Sequence, residues 1–225
     1  MLLALDSATR QAGLALYDGE RILAETLWQG NVHHTEWIAP ALEEALRRIH
    51  VTAAELTAVG VAVGPGSFTG LRVGISLAKG LAAARNLPII GVSTLDVTAY
   101  PHLDRDDLLC VLVQVGRGRH AYTFYRGAFP ALSSPAIGDI HAVAAAIVAQ
   151  PDETPVRVIG ELSMDERHAL AETLGAWDPL LPPALALRRP AVLAEMAWQR
   201  FQAGDVDDLH TLEPIYLQIP PPSNP

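Results

Sequence analysis

Two stretches of this chain, 108 residues apart, carry the same order of elements, and that repeat restricts the fold more than any single motif does. In the first, Leu2-Leu3-Ala4-Leu5 reads as a strand and Asp6-Ser7-Ala8-Thr9-Arg10 as a polar tip. Gly13-Leu14-Ala15-Leu16-Tyr17 is a second strand, and Asp18-Gly19 a two-residue hairpin turn. In the second, Cys110-Val111-Leu112-Val113 is a strand and Gln114 to Arg119 a polar, Gly-bearing turn. Ala121-Tyr122-Thr123-Phe124-Tyr125 is a strand and Arg126-Gly127 a turn. Setting Asp6 on Gln114 matches Leu3 with Val111, Leu5 with Val113, Leu16 with Phe124, Tyr17 with Tyr125 and Gly19 with Gly127. Two unrelated hairpins would share part of this pattern. The common order of strand, tip, strand and turn favours two similar lobes.

The segments between fill in a layered α/β half. Arg21 to Trp28 is a third strand, completing an antiparallel meander. Ile38, Leu42, Ala45 and Ile49 then form a helical apolar stripe, with Thr35 as cap and Glu36 placed well against the helix dipole. Pro40 falls inside this stripe, so the helix either starts near Pro40 or has a kinked first turn. Ala58 to Val63 is a strand, Leu71 to Arg85 a helix stopped by Asn86 and Pro88, and Leu87 to Val92 another strand. In the second lobe, Asp139–Ala149, Ser163–Leu174 and Pro190–Ala203 read as helices and Val156–Ile159 as a strand. The expected division is 1–104 and 105–225, with a frayed Pro-rich tail from about residue 219.

Composition narrows the function classes. The chain is 50% hydrophobic and 18% charged, which excludes disorder as its dominant state. No apolar run reaches the roughly 18 residues of a membrane span. Met1 to Asp6 holds no basic leader, which argues against a secretory signal. The single cysteine, Cys110, rules out an intrachain disulfide framework and points to a reducing cytoplasm. The net charge is −9 and Lys79 is the only lysine, so a self-sufficient nucleic-acid binder is not expected.

Two segments are candidates for phosphate binding. Gly64-Pro65-Gly66-Ser67-Phe68-Thr69-Gly70 joins a strand to a helix, where backbone N–H groups can cradle an anion. It fits neither the P-loop nor the dinucleotide fingerprint, and a tight turn capped by Ser67 or Thr69 is the favoured reading. Asp6, Ser7 and Thr9 form the second candidate, since an acid beside hydroxyls can hold a metal–phosphate group; a capped polar turn is the competing reading. No nucleophile elbow surrounds Ser67, Ser76 lies inside a helix, and Cys110 sits in a strand. The eight histidines show no helical ligand spacing, and His33-His34 reads as a solvated helix entry, so neither catalytic nor metal residues are assigned. Gly70, Gly74, Ala78 and Ala82 recur every four residues, a smooth stripe fit for close approach of a sheet or helix.

Leu3-Ala4-Leu5-Asp6-Ser7-Ala8-Thr9, His34-Thr35-Glu36, Gly64 to Gly74, Gly91-Val92-Ser93-Thr94-Leu95 and Glu213-Pro214-Ile215-Tyr216-Leu217 follow in the order of the TsaB (YeaZ) family. The resemblance is dense over roughly the first hundred residues and sparse after that. It implies an actin/sugar-kinase/Hsp70-like (ASKHA) fold of duplicated ribonuclease-H-like lobes. It also implies a cytoplasmic, non-catalytic subunit that works with TsaD and the TsaE ATPase to install threonylcarbamoyl on the adenosine beside the tRNA anticodon. On that reading tRNA is met only through the complex, and ATP or ADP is bound, if at all, in the complex. The His-x-x-x-His of the metal-bearing TsaD is absent here. In the second lobe, Gln114-Val115-Gly116 and Arg119-His120-Ala121 replace the family's Asp-Ala-Arg turn and following Glu-Val-Tyr. The expected partner surface is the helix pair, with Trp37, Ile38, Leu42, Leu46, Gly70, Gly74 and Ala78; in the family such a face also self-pairs. The alternative is an ATP-binding phosphotransferase or ATPase using Asp6, Ser7, Thr9, Gly64, Gly66 and Ser67.

Overall fold

A computed structural model describes residues 1–30, 34–150, 155–175 and 180–217, the side chains of His34 and Thr35 excepted. The cap expected at Thr35, the ring positions of His33-His34 and the tail from 219 therefore lie outside the described residues. The chain divides into two units. The first joins 1–97 to 188–215, and the second is built on 98–187.

In unit 1, β1 (Leu2–Asp6), β2 (Gln11–Tyr17) and β3 (Ile22–Gln29) form the expected meander. After α1 (His34–Arg48) come β4 (Ala58–Gly64), α2 (Phe68–Arg85) and β5 (Ile89–Ser93), giving a sheet ordered β3-β2-β1-β4-β5. β4 lies parallel to both β1 and β5. The chain passes to unit 2 within α3 (Thr94–Ala99), a short helix the sequence pattern does not announce.

Unit 2 repeats this plan. β6 (Leu108–Gly116) and β7 (Arg119–Arg126) form a hairpin, followed by β8 (Ala136–Gly138), α4 (Ile140–Val148), β9 (Val156–Gly160) and α5 (Met164–Leu174). The sheet order β8-β7-β6-β9 matches β3-β2-β1-β4 strand for strand. The counterpart of β5 survives as one parallel bridge, Leu180 to Val158. Duplication is thus shown by topology, not merely by hairpin pattern. The two tips differ by one residue: Leu3 faces Leu16 across β1–β2, whereas Val111 faces Thr123 across β6–β7. The offset of 108 aligns the first strands and slips by one in the second.

α6 (Pro190–Gln202) forms where expected but belongs to unit 1, so a cut at residue 104 leaves it on the wrong side. The reason is apolar burial. Along β1 the side chains alternate, as a strand must: Leu3 and Leu5 pack with Ile38, Leu42, Ile75 and Ala78 of α1 and α2, while Leu2 and Ala4 pack with Leu193, Ala194 and Ala197 of α6. The sheet has two apolar faces, and α6 covers the second. Small residues bring it close; a Cβ on Gly60 would lie 2.7 Å from that of Ala197. Glu25 ties down the helix start by accepting from the Ala191 backbone N–H and pairing with Arg189.

Local departures have local causes. The turn after β2 spans four residues, Asp18 to Arg21, because the Asp18 carboxylate accepts from the backbone N–H groups of Glu20 (2.8 Å) and Arg21 (2.7 Å). α1 starts well before Pro40 and runs through it; Pro40 is exposed, so the carbonyl it leaves unpaired can meet water. α2 starts three residues earlier than the pattern suggests, with Ser67 as N-cap accepting from Gly70 N–H, and ends at Asn86 in the left-handed region (φ 51°).

Candidate functional site

The two candidate phosphate loops come together in unit 1, and each satisfies the other. The Ser67 N–H donates to the Ala8 carbonyl (2.6 Å), and the Ser7 hydroxyl donates to the Gly70 carbonyl (2.8 Å). The Asp6 carboxylate accepts from Ala8 N–H, and Thr9 Oγ1 accepts from Gln11 N–H. The Gly64 N–H is taken by Thr94 Oγ1 (3.1 Å). The glycines serve this contact. A Cβ on Gly66 would collide with the Ala8 carbonyl oxygen and one on Gly70 with that of Ser7, while one on Gly74 would collide with the Ser7 hydroxyl. Gly64 also needs its freedom, with φ +113° beside the Ile215 backbone. The stripe Gly70, Gly74, Ala78 therefore admits the tip of β1 and the core beneath it.

Arg188 completes the arrangement, and no sequence motif singled it out. Its Nε donates to Asp6 Oδ2 at 2.5 Å, its Nη2 to Thr9 Oγ1 at 3.0 Å and to the Gln11 carbonyl at 3.1 Å, and its backbone N–H to Gln11 Oε1 at 2.7 Å. Asp6 and Arg188 are each 2% exposed. A carboxylate this deeply buried requires a counter-charge. That requirement was the available signal: an aspartate ending a wholly apolar strand implies a cation somewhere, although not which one. The acid proposed to face a metal–phosphate faces a guanidinium.

The expected partner surface is placed differently from its sequence reading. Ile38, Leu42, Leu46 and Ala78 are buried in the core of unit 1, and Gly70 and Gly74 lie against the β1 tip. An apolar stripe at helical spacing is what a helix needs to pack on its own sheet, and that is how this one is used. Trp37 remains outside, 58% exposed, as does Phe68 at 54%. Beside them runs an open groove of about 520 Å³, lined by Ile38 and Ala39 from α1 and by Phe68, Thr69, Arg72, Val73, Ser76 and Leu77 from α2. The Arg72 guanidinium lies 3.9 Å over the Phe68 ring. The pairing of α1 with α2 was legible, but the residues facing outward are a different set.

In unit 2 the Cys110 thiol is fully buried and burial pushes its pKa up, which makes it inert. Among the described residues no group of three or more His, Cys, Asp or Glu side chains is placed to hold a metal ion. His120 is wholly buried, and neither ring nitrogen makes a well-formed hydrogen bond; Glu166 Oε1 lies 3.5 Å from Nε2. Burial lowers its pKa, with the nearby charges of Glu166 and Glu161 working the other way. His102 is lowered too, by burial and by Arg157. With both pKa values lowered by folding, both rings cost stability as pH falls through the unfolded histidine range near 6.5. Urea unfolding should give a free energy about 1 kcal/mol lower at pH 5.5 than at pH 7.5, with a smaller loss in His120→Gln. Equal losses in both chains would remove His120 from this account.

Comparison with known proteins places these features. Residues 28–162 match the family described as TsaD: tRNA N6-adenosine threonylcarbamoyltransferase. The chain is 27% identical to the tRNA threonylcarbamoyladenosine biosynthesis protein TsaB of Bacillus subtilis, over 97% of this chain and 94% of that one. It is 37% identical to TsaB of Escherichia coli over 42% of this chain and 40% of the other. Among solved structures, YeaZ from Pseudomonas aeruginosa superimposes with a TM-score of 0.76 at 22% identity, covering 96% of this chain and 99% of that one. The duplicated sheets are those of the actin/sugar-kinase/Hsp70-like fold. The chain belongs to the family of the tRNA N6-adenosine threonylcarbamoyltransferase TsaD and, within it, groups with the TsaB (YeaZ) proteins.

Proposed function

We infer that this protein is a non-catalytic scaffold subunit in the formation of threonylcarbamoyladenosine on tRNA, pairing with a TsaD-like subunit and, through it, with a TsaE-like ATPase. The carrying observation is the contrast between its two candidate sites. The strand tip and Gly-rich loop, which a nucleotide-using enzyme would keep open, are knit to each other and closed by Arg188. The α1–α2 groove is instead open and largely apolar, with exposed Phe68 in its lining and exposed Trp37 next in sequence to its Ile38. Aromatic side chains beside an apolar groove are the usual anchors of a protein interface. The relatives are named for tRNA modification, and the −9 charge favours a partner holding most of the tRNA. With TsaD absent, the same face can accept a second copy of this chain. The phosphotransferase alternative loses its two supports, since Asp6, Ser7 and Ser67 are each engaged internally.

The test is pairing. Trp37→Ala with Phe68→Ala removes two exposed rings and leaves the core intact. The affinity for the TsaD-like subunit, measured by calorimetry, should drop at least 30-fold, about 2 kcal/mol. Unchanged affinity would sink the surface assignment. Leu42→Glu is unsuitable for this purpose, because Leu42 is a core residue and its loss would unfold unit 1.

A further inference from the structure

The hairpin joining β6 to β7 carries a feature that the scaffold role does not use. Its closing pair is Gly116 opposite Arg119, and its two turn residues are Arg117 and Gly118. Both have positive φ, 55° and 65°, as tight two-residue hairpin turns require, and Gly116 is positive as well at 96°. Such turns favour Asn-Gly or Asp-Gly, because a residue with an ordinary side chain occupies the left-handed region at a cost. An arginine in that position is the unfavoured choice. A Cβ built on Gly116 or Gly118 would meet no atom within 4 Å, and Gly116, Arg117 and Gly118 are exposed, with Arg119 half-buried.

The charges at this tip are equally uncommitted. Several other guanidinium groups are engaged, Arg47 and Arg48 with Glu44, Arg157 with Asp107 and Arg200 with Asp205. The guanidinium groups of Arg117 and Arg119 make no hydrogen bond or ion pair among the described residues. Of the acids at the base of β7, Glu166 faces His120 and holds the Ser163 N–H and hydroxyl of the α5 cap, and Glu161 also acts on His120. Two unneutralised guanidiniums two residues apart, on a stiff convex turn of an acidic chain, form a local cationic point.

We propose that Arg117 and Arg119 contact the phosphate backbone of RNA, presented as the tRNA held by the assembled complex; this rests on the function proposed above. The turn favours RNA over an acidic protein surface. Gly116, Arg117 and Gly118 offer no apolar anchor, which a protein contact needs at its centre, whereas phosphate contacts need only positioned donors. The contact positions the RNA and reads no bases.

Arg117→Asn with Arg119→Gln removes both charges and gives the turn a residue it prefers, so the hairpin is retained. Binding of an unmodified tRNA transcript by the complex of this chain with its TsaD-like subunit is measured across salt concentrations. The slope of log K against log salt should become shallower by about 1.5, and the affinity difference should close as salt rises. An unchanged slope overturns the proposal. A weakened subunit–subunit affinity with unchanged tRNA slope also overturns it, in favour of an acidic protein contact. Formation of threonylcarbamoyladenosine by the unsubstituted complex is scored separately. A complex that modifies tRNA but whose slope ignores the substitutions refutes the hairpin alone. A complex that binds tRNA without supporting modification refutes the function, while its slopes still decide the hairpin.

Discussion

Arg188→Ala is expected to lower the unfolding free energy by about 3–5 kcal/mol, the largest loss from any single charged residue in unit 1. The loss comes less from the pair's own attraction than from what remains. Asp6, 2% exposed, would keep a buried charge with, among the described residues, only the Ala8 N–H to meet it. Thr9 and the Gln11 carbonyl would lose a donor as well. The neighbouring Arg189 is the control: its guanidinium is 58% exposed, Glu25 keeps the Ala191 N–H as a partner, and Arg189→Ala should cost under about 1 kcal/mol. The double change Asp6→Asn with Arg188→Met should recover part of the loss, because no unpaired charge is left behind. Urea unfolding of the three variants measures this. A cost for Arg188→Ala as small as that for Arg189→Ala would refute the view that the strand tip is an internally neutralised site.

That pair also shows where sequence reading ends. The elements were legible because each has a local cause: the continuous apolar run of β1, Ser163 before α5, Asp139 before α4, Pro190 and Gly204 around α6. The duplication was legible because both hairpins keep their order of apolar and polar residues. Three things were not. The assignment of α6 to unit 1 depends on which sheet face stands uncovered, and that is settled only when α1 and α2 have taken the other. The partner of Asp6 lies 182 residues away, with no periodicity to point to it. The inward or outward sense of the α1 stripe follows from packing on β1 and β2, so Ile38 and Leu42 were read as surface while Phe68 and Val73 were overlooked. Glycine content misled in a similar way. A Gly-rich run between strand and helix suggests room for a phosphate, but here the room is filled by the protein's own backbone.

The second large effect follows from that filling. Gly70→Ala is expected to destabilise unit 1 by about 3 kcal/mol, although alanine is the better helix former by up to about 1 kcal/mol. The new methyl would strike the Ser7 carbonyl oxygen, a backbone atom at the end of β1 whose displacement would disturb the Ser7–Gly70 and Ser67–Ala8 hydrogen bonds together. Gly74→Ala is different in kind. Its methyl meets the Ser7 hydroxyl, a side-chain group, so adding Ser7→Ala should restore most of what Gly74→Ala loses and little of what Gly70→Ala loses. Gly80 supplies the opposite sign. It lies in the same helix, exposed, with nothing within 4 Å of a built Cβ, and Gly80→Ala should stabilise by about 0.5–1 kcal/mol. Thermal and urea unfolding of these variants separate helix propensity from close approach within one helix. If Gly70→Ala and Gly80→Ala shift stability in the same direction, the strand tip is not the surface against which α2 is held.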